Sequence, residues 1–288
     1  MQVKEVLAHK YVKRLYFGRF ISNYGNGMGP IALSFGILGL PNGSANLLGL
    51  VLGSTTVAFL IMAPFGGVIA DKYGRARMVG LTDMIGGTIL FIQVGFFATG
   101  NVPVAVLLLV NGSFGILWGI FWPAFSGVIP AVLPEPGWQR GNAINSLVSN
   151  GGIILGAASA GFLVSGFGAT IALAIDAASF IISGALIYSF RHLSPAAEAT
   201  ENTMIDDLRH GWKVFISFRW IVIIVMAFSF IVMCWAAAES VLGPLIALKY
   251  FDGPKSWSFV ITSESAGLIV GALIAIKVKP KYPMRFLM

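Results

Sequence analysis

The apolar positions of this chain do not return at the period of a half-buried helix or strand. They run on in blocks of twenty or more, broken by short polar islands. A helix that is apolar all round is covered on every side, by a protein core or by lipid. About 20 such residues cross a bilayer. Eight stretches qualify: 15–40, 46–69, 78–99, 103–129, 141–165, 168–190, 219–248 and 257–276. The islands 41–45, 99–102 and 165–168 leave room only for antiparallel hairpins. Pro41-Asn42-Gly43, Gly100-Asn101 and Gly166-Phe167-Gly168 supply their turns. The pattern predicts an all-α polytopic membrane protein.

One break is long. Pro195 to Asn202 reads as a flexible linker. Thr203 with Asp206 three residues on forms a capping box, and Ile205, Leu208, Trp212 and Phe215 then share one face. Residues 203–217 are predicted to be an amphipathic helix on the membrane surface. The expected organisation is a six-span bundle over 1–190, a cytoplasmic linker over 191–218 and a two-span segment over 219–288.

Composition agrees with the pattern. Charged residues make up 11% of the chain, where soluble domains carry about a quarter. The lone Cys234 leaves no internal disulfide and no cysteine metal cluster. The basic segment Lys4 to Arg14 ahead of an apolar run mimics a signal peptide. That run is too long and lacks a small-residue cleavage site, so it reads as an uncleaved first span. A net charge of +7 would suit nucleic acid, but its placement has another cause. With the N-terminus inside, every one of the 19 Lys and Arg residues except Lys249 and Lys255 falls on the cytoplasmic side. The charge is a topology signal for a multi-pass protein of the cell (plasma or inner) membrane, in contact with the lipid bilayer. No nucleic acid partner is needed to explain it.

The most informative island is Gly67-Val-Ile-Ala-Asp71-Lys72-Tyr-Gly74-Arg75-Ala-Arg77. Its charges cannot lie in hydrocarbon, Gly67 allows close approach of a neighbouring helix, and Gly74 permits the positive φ of a tight turn. The stretch resembles the signature loop between the second and third helices of the major facilitator superfamily. The matching positions are Gly67, Asp71, Lys72, Gly74, Arg75 and Arg77. Trp122-Pro123-Ala124, Gln139-Arg140-Gly141-Asn142, Asp176 to Phe180 and Asp207 to Trp212 look like the efflux branch of that family, which includes macrolide and siderophore exporters. One departure is the region Gly156 to Gly161, which lacks the Gly-Pro common in that branch and puts the antiport direction in doubt.

The resemblance implies the major facilitator fold: an N-terminal six-helix bundle plus the first two helices of the second bundle. The family has twelve spans, so the last four are expected to be lacking, by truncation or because the sequence is incomplete. It also implies a secondary active transporter, with proton-coupled efflux of a small hydrophobic compound as the leading function. The alternatives are a truncated, non-transporting remnant and an uptake permease for a polar solute. Eight spans by themselves are not expected to carry gradient-driven flux. Neither cofactor nor metal is implied. An intramembrane enzyme would need a nucleophile–base pair or a metal set; His9, His192 and His210 all fall outside the spans and lack ligand spacing.

Polar groups at membrane depth each need a partner or a function. Arg19, Asn23 and Asn26 lie on one face of span one, and Asn111, Gly115, Trp118 and Trp122 on one face of span four. By resemblance these helices line the central cavity. The asparagines are equally readable as packing groups, and the tryptophans as lipid-facing. Glu239 in span seven and Glu264 in span eight are candidates to load and release a proton, with interhelical hydrogen bonding as the plainer role. Asp83 and Asp176 sit on supporting helices by resemblance and are expected to form structural charge pairs, Asp83 with the Arg75/Arg77 loop. Gly25/Gly29, Gly49/Gly53, Gly115/Gly119, Gly152/Gly156 and Gly267/Gly271 are expected to let helices approach closely.

Overall fold

The computed structural model describes residues 2–195 and 204–277, and every regular element in it is helical. A short helix, α1 (Val3–Ala8), leads into α2 (Val12–Leu38) through Tyr11, whose φ of 71° turns the chain. A bulky residue rarely holds that conformation. Here its ring is fixed by Phe190 and His192 and lies under the cationic ends of Lys10 and Arg14.

Then follow α3 (Ala45–Tyr73), α4 (Arg75–Ala98), α5 (Val104–Ser126), the short α6 (Val128–Val132), α7 (Trp138–Phe167) and α8 (Ala169–Tyr188). Ser44 starts α3 by accepting the Leu47 amide on its hydroxyl. Pro64 and Pro123 sit inside α3 and α5 without ending them. The hydroxyl of Ser126 donates to the carbonyl of Pro123, within the last turn of α5.

α3 packs on α5, α2 on α7 and α8, and α4 on α8. Glycines bring these backbones together. A Cβ on Gly27 would strike the carbonyl of Ile153, one on Gly66 that of Gly119, and one on Gly115 that of Thr55. Gly152 and Gly156 face α2 in the same way. The pair Gly49/Gly53 has open space around it, so that expected contact is absent.

After the linker, α9 (Met204–Ser217) forms the expected helix, with Trp212 and Phe215 ring to ring at 5.6 Å. The cap at Thr203 lies outside the described residues. α10 (Arg219–Ala237) continues through a π-helical turn, Ala238–Leu242, into α11 (Gly243–Tyr250), and α12 (Pro254–Lys277) follows. Pro244 has no N–H to give to the preceding turn, and the wide π turn takes up the mismatch. None of α10 is buried, whereas Gly243, Pro244 and Ala247 of α11 are.

Among the described residues, six runs are long and apolar enough to cross a membrane: α3, α4, α5, Glu135–Phe167, α8 and Arg219–Tyr250. α2 is 27 residues long, about 40 Å at 1.5 Å per residue. Asn23, Asn26 and its many glycines dilute its apolar character.

Candidate functional site

The charged island between α3 and α4 is almost entirely helical. α3 runs through Asp71, Lys72 and Tyr73, and Gly74 alone (φ 92°) separates it from α4. Asp71 Oδ1 accepts from Arg75 Nε at 2.7 Å, four residues on, across this break. Arg75 Nη1 also reaches Ser126 Oγ at 3.3 Å, which ties the turn to the end of α5. Lys72 lies over the ring of Tyr73, and Arg77 begins the exposed side of α4. The close helix approach expected of Gly67 belongs to Gly66 instead; Gly67 meets only Pro123, at ordinary contact distance. One step along a helix turns the position by about 100°, and position 66 is the one that faces α5.

Toward the same end of the bundle lies Arg19, 3% exposed, so it does not line an open cavity. Its guanidinium sits over Phe125 at 4.4 Å and Phe121 at 5.1 Å, and its charge is opposed by Asp83 of α4. Asp83 Oδ2 accepts from Ser183 of α8 at 2.9 Å. The expected bridge from Asp83 to the Arg75/Arg77 loop is not formed among the described residues; the charge that faces Asp83 is that of Arg19 on α2, without an ion pair between them and with Arg19 Nε and Nη1 unbonded. The reason is rotational, because Asp83 points into the bundle while Arg77 points out. Asn23 donates to the Arg19 carbonyl at 2.7 Å and to Ser149 at 3.2 Å, the packing role.

Trp122 lines neither of the two cavities described below. It is 50% exposed and rests edge-on against Phe121, which holds the interior place beside Arg19. Gly115, on the same stripe, faces α3.

What remains of the candidates converges on two adjoining cavities. The larger, about 330 Å³, lies among α2, α7, the π turn and α12, and both Glu239 and Glu264 are on its wall with Trp257. Glu239 Oε2 accepts from the indole N–H of Trp235 at 2.7 Å. The smaller, about 240 Å³, lies among α2, α4, α5 and α8, lined in part by Asn111, Phe114, Trp118 and Asp176. Asn26, Pro30, Leu52 and Ser240 border both. Asn111 Nδ2 donates to Gln93 Oε1 at 2.8 Å.

Gln93 and Ser240 were not among the sequence candidates. Gln93 had a legible signal, an amide alone within the apolar run of span three. Asp176 does not form the expected charge pair. It is 7% exposed, and its Oδ1 has no hydrogen-bond partner among the described residues. No basic side chain of α2 or α4 stands at its level, since Arg19 is nearly two turns away along α2.

Known proteins resemble this chain in sequence and in fold. A transporter of the same family from Bacillus subtilis, YkuC, whose function is uncharacterised, is 24% identical over 97% of this chain. The quinolone resistance protein NorA of Staphylococcus aureus is 29% identical over 96% of it. This chain covers 68% of each. Among solved structures, the peptide transporter POT crystallised with sulfate superposes with a TM-score of 0.51 at 19% identity, over 84% of this chain and 51% of its own. That likeness is one of fold, and the chain spans about half the length of that transporter. The family model described as Major Facilitator Superfamily matches residues 15–288. Membrane-crossing helices, the Asp71–Gly74–Arg75 turn, the cavity between the helices and this match agree: the chain belongs to the Major Facilitator Superfamily.

Proposed function

We propose that the protein serves proton-coupled efflux of a small, largely apolar compound across the cell membrane, by antiport. The observation that carries this reading is the pair of adjoining cavities with Glu239 and Glu264 on the wall of one and aromatic side chains on the wall of the other. An apolar lining with few polar groups suits an apolar ligand. Carboxylates facing that space supply groups that can exchange a proton with it. The likeness to a quinolone resistance protein supports export over uptake of a polar solute. In this reading the N-terminus and the 191–218 linker are cytoplasmic, and the break at 191–218 separates two domains. Asp71, Lys72, Gly74, Arg75 and Arg77 form the turn that steadies one conformation of the bundle.

The test is ligand binding in weakly buffered detergent solution. Titrating the full chain with an apolar aromatic dye should release protons, read by a pH indicator. Glu239→Gln should still bind the dye and release fewer. Dye binding with no proton release from the unaltered chain would refute the coupling.

A further inference from the structure

Three carboxylates lie on α3, α4 and α8, one on each, and two of them have partners. Asp71 has Arg75, and Asp83 has Ser183 and the charge of Arg19. Asp176 stands apart. Its side chain sits in a niche on α2 made by Gly25 and Gly29, one helical turn apart, where a Cβ on either glycine would overlap a carboxylate oxygen. The absence of side chains at those two positions is what gives the carboxylate room. A buried carboxylate without a partner costs several kcal/mol, so a group so placed points to a partner that arrives from elsewhere.

The surroundings say what that partner is. Asp176 borders the 240 Å³ cavity. Asn26, Gln93 and Asn111 are among the polar groups on the same wall, which also carries Phe114, Trp118 and Phe180. The NH2 of Asn111 already goes to Gln93 and Leu107, which leaves its own Oδ1 as an acceptor beside the amide groups of Gln93 and Asn26. The wall thus combines one carboxylate, the one acidic group on it among the described residues, with amides and aromatic faces. An anion would meet the carboxylate. A bare metal ion would find aromatic wall where it requires oxygen on all sides. A primary ammonium offers three donors to the carboxylate and amides, and an aromatic body meets the aromatic faces.

We propose that Asp176, with Asn26 and Asn111, binds the ammonium group of an arylalkyl amine whose apolar body lies against Phe114, Trp118 and Phe180. This rests on the reading of the cavity as a ligand site and names the residue that sets its specificity.

The test uses a matched pair, 4-phenylbutylamine and 4-phenylbutanol, which share a shape and differ in charge. Isothermal titration of the purified full chain should show the amine binding about tenfold or more tightly than the alcohol, the factor a charge-assisted hydrogen bond supplies. Asp176→Asn should erase that preference, read as the ratio of the two affinities. A preference that survives in Asp176→Asn overturns the proposal. Equal binding of both compounds by the unaltered chain also overturns it, while the cavity keeps its place as an apolar site. Binding of neither compound removes the cavity reading along with it. Should Asp176→Asn fail to fold, the unaltered chain still decides. Dicyclohexylcarbodiimide should label Asp176, located by peptide mass spectrometry, and the amine but not the alcohol should block it. Labelling that saturating amine leaves untouched contradicts the proposal.

Discussion

Replacing Gly152 by alanine tests how tightly α2 and α7 are interlocked beside the cavities. The new Cβ would stand 2.7 Å from the carbonyl oxygen of Phe20 and 3.1 Å from both Asn23 Cβ and Tyr24 N. An ordinary carbon–oxygen contact is about 3.3 Å or more, so the helices must part by roughly half an ångström. Two of the three opposing atoms are backbone, which cannot swing aside as a flexible side chain can. Overpacking of this kind costs about 1–3 kcal/mol. Alanine gains up to about 1 kcal/mol of helix propensity over glycine, and a control removes that contribution. Gly151 is the adjacent residue on the same helix, and a Cβ there meets nothing within 4 Å. Both variants gain the propensity; only Gly152→Ala meets the clash. At roughly 2–4 °C per kcal/mol, Gly152→Ala should melt about 2–12 °C below Gly151→Ala. Fluorescence-detected size exclusion after heating in detergent reads the difference. Equal midpoints for the two variants would refute the interlocked interface.

Other outcomes follow from named contacts. Arg19→Met removes the charge that faces Asp83 and the guanidinium lying over Phe121 and Phe125, and should lower the midpoint in the same melting assay, with Arg19→Met/Asp83→Asn recovering most of the loss. Gly74→Ala forces a side chain onto a φ of 92° and should cost at least about 1 kcal/mol. Asp71→Asn breaks a pair whose side chains are 37% and 45% exposed and should shift stability by under about 1 kcal/mol. On a Cys234→Ser background, Asn202→Cys should resist a membrane-impermeant thiol reagent in intact cells and react after permeabilisation; labelling in intact cells would overturn the cytoplasmic placement of the linker.

The fold was legible where the physics is local. Apolar runs long enough to cross a bilayer mark their own helices, and Gly74 marks its turn because no other residue type there tolerates positive φ cheaply. Glycine pairs were legible as contacts only in part. Gly152/Gly156 meets α2 and Gly25/Gly29 meets α8, whereas Gly49/Gly53 meets nothing, because spacing fixes a face and not the neighbour on it. The site was legible at Asn26, Asn111, Trp118, Glu239 and Glu264, polar or aromatic residues on helices that border the cavities. What escaped was pairing between helices. That Arg19 answers Asp83, 64 positions on, depends on how α2 and α4 rotate against α8. The same rotation hides Trp122 from the cavity and leaves Asp176 in its glycine niche. The π turn at Glu239 had a local cause in Pro244.

The central claim is that a small apolar compound occupies the space where the two cavities meet. Photoaffinity labelling of the full chain with a diazirine derivative of 4-phenylbutanol, mapped by peptide mass spectrometry, addresses it directly. The expected adducts fall between Asn26 and Ser34 on α2 and between Asn111 and Trp118 on α5, and excess unlabelled alcohol displaces them. Adducts confined to the outward face of α10, from Trp220 to Trp235, and indifferent to competitor would contradict it.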